Sequence, residues 1–73
     1  MPIRMSDRER IALFNRIMQV AEKDDIPVKY SCIRFGLTPT SFPNFKQTIK
    51  RILQRTPELR YEIDEEFRSA VWK

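Results

Sequence analysis

Asn44, Gln47, Lys50, Arg51 and Gln54 recur at intervals of mostly three and four residues through "FPNFKQTIKRILQR", residues 42–55. In a helix that spacing gathers them, with Pro43, opposite an apolar stripe of Phe42, Phe45, Ile49, Ile52 and Leu53. Side-chain amides can pair with the N6 and N7 edge of adenine, and Lys or Arg with guanine or with phosphate. The face carries no acid, whereas a merely solvated helix face usually mixes signs in Glu–Lys pairs four apart. Thr38, Thr40 and Ser41 are short donors at the start of this helix, where the dipole also favours phosphate. Lys29, Lys46 and Arg55 flank it as further phosphate contacts. The candidate binding set is therefore Lys29, Thr40, Ser41, Asn44, Lys46, Gln47, Lys50, Arg51 and Arg55, and its chemistry is that of reading a double-stranded nucleic acid.

Other chemistries have little to work with. The 73 residues include no His and one Cys, and no Gly-rich phosphate loop. No catalytic constellation can be assembled from what remains, and neither a metal site nor a cofactor is expected. Cys32 reads as a small core residue: Arg34 beside it would favour a thiolate, but nothing supplies a base. A single cysteine forms no internal disulfide, apolar runs are too short to span a membrane, and the first ten residues lack the apolar core of a signal peptide. These features lead to the expectation of a cytoplasmic protein with no membrane and no small-molecule partner.

Charge is distributed in blocks. Residues 1–25 hold five basic and five acidic side chains, and residues 58–73 hold three basic and five acidic. Between them, residues 26–57 hold Lys29, Arg34, Lys46, Lys50, Arg51 and Arg55 with no acid at all. A concentrated positive block points to an anionic partner. One reading is double-stranded DNA. The alternative, from another class, is a small protein-interaction module that docks a basic helix face on an acidic partner, as a host-targeting or inhibitor protein would.

The elements that must position these residues are helical, because one Gly in the whole chain leaves too few turn glycines for an all-β fold. Four helices are predicted, over about 7–22, 27–35, 42–55 and 57–71. "SDRE" supplies a capping box, Ser6 with Glu9, to the first. Asp25 is the expected cap of the second, with Pro27 in its first turn and Gly36 at its end. Thr56 and Pro57 open the fourth, whose stripe is Leu59, Ile63, Phe67 and Ala70 or Val71. The chain reads as one domain, residues 1–73: an all-α, four-helix domain.

A helix, a Gly-containing turn and a second amphipathic helix form a helix-turn-helix, with Cys32 as the small residue at the crossing and Phe42 and Phe45 as anchors. In its spacing "CIRFGLTPTSFPNF" resembles the helix-turn-helix of phage-type DNA-binding domains, including those of small terminase subunits and related small regulators. "TPELRYEIDEEF" is similar to the helix that follows in small terminases, and the likeness spans about residues 27–67. It implies a DNA-binding protein acting in transcription regulation or DNA-packaging recognition, with helix 42–55 in the major groove. Pro43 departs from the pattern, since a proline at the fifth helical position would break the helix; a later start, with Thr40 or Ser41 as the cap and a longer turn before it, is the remedy. Small terminase subunits are also longer, which leaves a lone domain, a fragment or a different use of the fold. A single module of this size buries little surface on DNA, so a homodimer or larger homo-oligomer is the expected binding form.

Overall fold

A computed structural model describes residues 5–72, and among them 82% are helical and none lies in a strand. The fold is all-α. Helix α1 runs Asp7–Lys23, α2 is one turn at Val28–Ser31, α3 runs Phe42–Arg55, and α4 is one turn at Glu65–Arg68. Four 3₁₀ segments complete the helical content, at Cys32–Phe35, Pro39–Ser41, Pro57–Glu62 and Ser69–Trp72.

Both arms of the box at the start of α1 are made: Ser6 Oγ accepts from the Glu9 amide at 3.2 Å, and the Ser6 amide donates to Glu9 Oε1 at 3.0 Å. The bond from the Ser6 backbone, with the hydroxyl beside it, holds the Glu9 carboxyl below its ordinary value of 4.5. Downstream, α1 turns Ile11, Phe14, Ile17 and Ala21 inward at a three- and four-residue spacing. Ile11 and Phe14 join Ile49, Ile52 and Leu53 of α3 and Leu59, Ile63, Phe67 and Val71 of the last segment in one core. Each fully buried side chain of this size contributes about 1.5–3 kcal/mol against exposure.

The second helix differs from expectation at its start. Asp25 does not cap it; its backbone sits at φ +53°, in the left-handed region that Asp tolerates better than most residues. The capping position is Pro27, extended at φ −59°, ψ 144°, with no side-chain bond to the helix. One α-helical turn then tightens into the 3₁₀ turn Cys32–Phe35, and Gly36 closes it at φ +83°, where a Cβ would strain the backbone although nothing lies within 4 Å of it. Cys32 is fully buried, and so is Ser31, whose hydroxyl donates to the Ile17 carbonyl at 2.7 Å and ties α2 to α1.

Six residues, 36–41, separate the 3₁₀ turn from α3. The connection folds on itself: the Thr38 amide donates to Ser41 Oγ at 3.2 Å, and Ser41 Oγ donates to the Thr38 carbonyl at 2.8 Å. The helix then begins at Phe42, with Pro43 in its second position. Amides of the first turn have no intrahelical acceptor, so the missing N–H of Pro43 breaks nothing.

The last segment is not the continuous helix over 57–71 that its periodicity suggests. A 3₁₀ stretch, Pro57–Glu62, gives way to extended backbone at Ile63 (φ −83°, ψ 133°) before α4 resumes. Thr56 precedes it without making a side-chain cap. The break is held by side chains. Asn15 of α1 donates from Nδ2 to the Glu62 carbonyl at 2.8 Å and accepts the Asp64 amide on Oδ1 at 3.0 Å, bracketing Ile63. Gln19, one turn on, donates to Asp64 Oδ2 at 2.7 Å. Arg68 Nε donates to the carbonyls of Arg60 and Ile63, at 3.0 and 3.1 Å. Backbone groups that a helix would pair internally are thus satisfied by side chains, as the partial burial of the Asp64 amide and the Ile63 carbonyl demands.

Candidate nucleic-acid interface

Helix α3 lies on the core through Ile49, Ile52 and Leu53, with Phe42 and Phe45 packed against the same cluster. That fixes what faces solvent. Pro43, Asn44, Gln47, Arg51, Gln54 and Arg55 are exposed, and Asn44, Gln47, Arg51 and Gln54 form one ridge at spacings of three and four. Lys46 and Lys50 sit on the flank, half-buried along their stems. The ridge is more amide than cation: Arg51 is its single charge, with Lys50 beside it and Arg55 at its end.

The positive block is partly answered by acids that folding brings to it. Arg55 Nη2 lies 3.6 Å from Asp7 Oδ2, in the first turn of α1, and Asp7 also meets Arg10 at 3.5 Å. Arg34 forms an ion pair with Asp24. Among the described residues Lys50 and Arg51 stand in no ion pair, and Lys29 rests its ammonium 5.5 Å from the centroid of the Tyr30 ring. Exposed pairs of this kind are worth at most about 1 kcal/mol and are easily exchanged for a phosphate.

The short donors are distributed unevenly. Thr40 is exposed, its hydroxyl 3.3 Å from that of Thr38, while Ser41 is half-buried and commits its hydroxyl to the Thr38 backbone. Asn44 keeps its side-chain amide outward while its carbonyl accepts from Thr48 Oγ1 at 3.0 Å. The geometry therefore aligns Asn44, Gln47, Lys50 and Arg51 along the start and middle of α3, with Thr40 exposed in the 3₁₀ segment before it. Lys29 belongs to α2, and Arg55 is held at the far end by Asp7.

Cys32 lies within the core rather than on any surface, and burial pushes its thiol up, away from the reactive thiolate. Among the described residues no group of three or more His, Cys, Asp or Glu is placed to hold a metal ion, and no helix is long and apolar enough to cross a membrane.

Two groups of exposed residues fall outside the sequence-derived set. Tyr30 and Ile33 stand out from α2 and the 3₁₀ turn after it, and Tyr61 and Trp72 from the last segment. The second pair comes with Arg60 and Arg68. On a helical wheel these four share an arc of about 120°, a signal present in the sequence but masked by the acidic residues among them.

No protein-family model matches the chain, and neither a curated protein nor a solved structure is significantly similar to it.

Proposed function

We propose that the protein binds double-stranded DNA through α3, as a helix-turn-helix whose recognition element is Phe42–Arg55. The observation that carries this reading is the exposed ridge Asn44, Gln47, Arg51 and Gln54, flanked by Lys50 and free of acid over the helix's whole length. In the major groove the amides read adenine edges, and Arg51 or Lys50 reads guanine or holds phosphate. Thr40 and the first turn of α3 meet a phosphate at the dipole's positive end. Lys29 and Lys46 add backbone contacts, and Arg55 can leave Asp7 for a phosphate when one is present. The resemblance to phage-type domains directs the role towards transcription regulation or DNA-packaging recognition, with a homodimer or larger homo-oligomer supplying the area that one small module lacks.

Titration of a labelled duplex by fluorescence anisotropy tests it. With about four phosphates neutralised, log K should fall with log salt at a slope near −4, and the Lys50→Ala/Arg51→Ala double variant should flatten that slope by about 2. The reading fails if micromolar protein shows no salt-sensitive binding, or if the double variant binds as the parent does. In that event the basic face is left for an acidic protein partner.

A further inference from the structure

Beside the C-terminal end of α3 lies a half-enclosed hollow of about 130 Å³, lined by Leu53, Pro57, Arg60, Ile63, Arg68 and Trp72. Its floor is the edge of the core: Leu53 and Ile63 are buried. Trp72 forms a wall and is 56% exposed, an unusual outlay of the chain's only tryptophan. Two guanidinium groups line the polar side. Arg68 is fixed there, because its Nε is committed to the carbonyls of Arg60 and Ile63 while its two Nη groups have no hydrogen-bond partner among the described residues. Arg60 is steadied by a 2.9 Å bond from Nη2 to the Tyr61 hydroxyl. Both stack against the Tyr61 ring, with guanidinium carbons 4.9 and 5.3 Å from its centroid, and together they hold the phenol below its ordinary value of 10.0, mainly through the Arg60 bond.

Among the described residues neither arginine is in an ion pair, although acids are plentiful in the same segment. Glu62 is paired instead with Arg8, at 3.6 Å, and Asp64 is held by Gln19. Among the described residues the hollow thus has an apolar floor, an aromatic wall, two cations outside any ion pair and no carboxylate in its lining. A guanidinium fixed through Nε with its outer nitrogens open is suited to a planar two-oxygen anion. The room beside it takes one side chain. Glu58, Glu62, Glu65 and Glu66 of the same segment are exposed, and their field opposes a polyanion such as a nucleic-acid strand more than a ligand with one negative charge.

We infer that this hollow captures the free C-terminal carboxylate of a partner polypeptide whose last residue is apolar, the carboxylate on Arg68 and Arg60 and the side chain on Leu53, Ile63 and Trp72. Terminal-carboxylate capture is a recurrent mode of peptide recognition, and here both its elements occupy one residue-sized space. The site lies apart from the exposed ridge of α3 and does not depend on DNA binding there.

Trp72 provides the readout, because its emission reports directly on the wall of the hollow. Titration with the acetylated tetrapeptide Ser-Gly-Ser-Leu bearing a free carboxyl terminus should change that emission saturably, with half-saturation at or below about 1 mM. The C-terminally amidated peptide should bind at least about tenfold more weakly, the loss of one charge-assisted pair. Arg60→Gln should reproduce that loss for the free acid, and it removes only an exposed bond to Tyr61 and the stacking on its ring, whereas Arg68→Gln also strips the Ile63 carbonyl of its donor. The Lys50→Ala/Arg51→Ala variant should bind the peptide as the parent does. The inference is overturned if emission does not respond, if the amide binds as well as the acid, if Arg60→Gln binds normally, or if an amidated peptide with an internal Glu-Leu pair or an oligothymidylate strand binds more tightly than the free-acid peptide.

Discussion

Residues 42–55 and 57–72 carry the same kind of pattern, apolar side chains three and four apart, and take different backbones. The first is one α-helix of 14 residues; the second is a 3₁₀ stretch, an extended break at Ile63, one α turn and another 3₁₀ turn. Yet the second buries its whole stripe, Leu59, Ile63, Phe67 and Val71, as completely as α3 buries Ile49, Ile52 and Leu53. The difference lies in where the backbone hydrogen bonds go. In α3 they stay within the helix; in 57–72 the carbonyls of Glu62 and Ile63 are taken by Asn15 and Arg68, and that of Arg60 is shared between Arg68 and the Ile63 amide. Periodicity decides which side of a segment meets the core. Whether the ladder survives depends on whether side chains can replace it.

The largest effect should come from asking whether the broken segment belongs to the core as fully as α3 does. Phe67→Ala should destabilise the protein by about 3–5 kcal/mol, in the range of Ile52→Ala at about 2–5 kcal/mol, read from urea midpoints. A loss below about 1 kcal/mol for Phe67 would mean that 57–72 is only draped on a core that α1 and α3 complete without it.

Asn15→Ala should cost about 1–3 kcal/mol, because the Asp64 amide is left part-buried without its acceptor. Far-ultraviolet circular dichroism sharpens the result: a gain in helical signal at 222 nm would mean that Asn15 enforces the break at Ile63, and an unchanged spectrum that the local sequence already sets it.

The smallest effect belongs to a cap made locally rather than across the fold. Ser6→Ala should cost about 1 kcal/mol at neutral pH. The Glu9 carboxyl is lowered in the folded state, so its share is present in full above its ordinary value of 4.5 and fades as the pH falls below that. Glu9→Gln should therefore show a flatter loss of stability between pH 5 and pH 3 than the parent, about the acid range in which a capped glutamate titrates; equal slopes would place the acid sensitivity elsewhere.

The same distinction explains what the residues disclose before folding is known. The all-α class follows from the scarcity of glycine and from stripes that the core confirms, and the exposed side of α3 follows from the same arithmetic. Ser31 does not, because a serine earns a buried place only where its hydroxyl meets the Ile17 carbonyl, and that depends on how α2 crosses α1. The candidate interface is legible to a similar degree. Asn44, Gln47 and Arg51 reach the surface by spacing alone, but the answering of Arg55 by Asp7 and of Arg34 by Asp24 joins blocks of charge that lie apart in the chain. The hollow beside Trp72 is harder still, for it exists only because the break at Ile63 lets Arg68 turn back to Arg60.

Gly36, the only glycine, closes one turn, and prolines stand at four entrances: Pro27 before α2, Pro39 and Pro57 at the first positions of their 3₁₀ segments, and Pro43 second in α3. Each of these prolines carries, in the unfolded ensemble as well, a φ close to the one its helical start requires. The denatured chain is correspondingly stiff, with a single fully permissive hinge, and it surrenders less conformational entropy on folding than a glycine-rich chain of equal length. A small core is then sufficient partly because the state it must outcompete has been narrowed in advance.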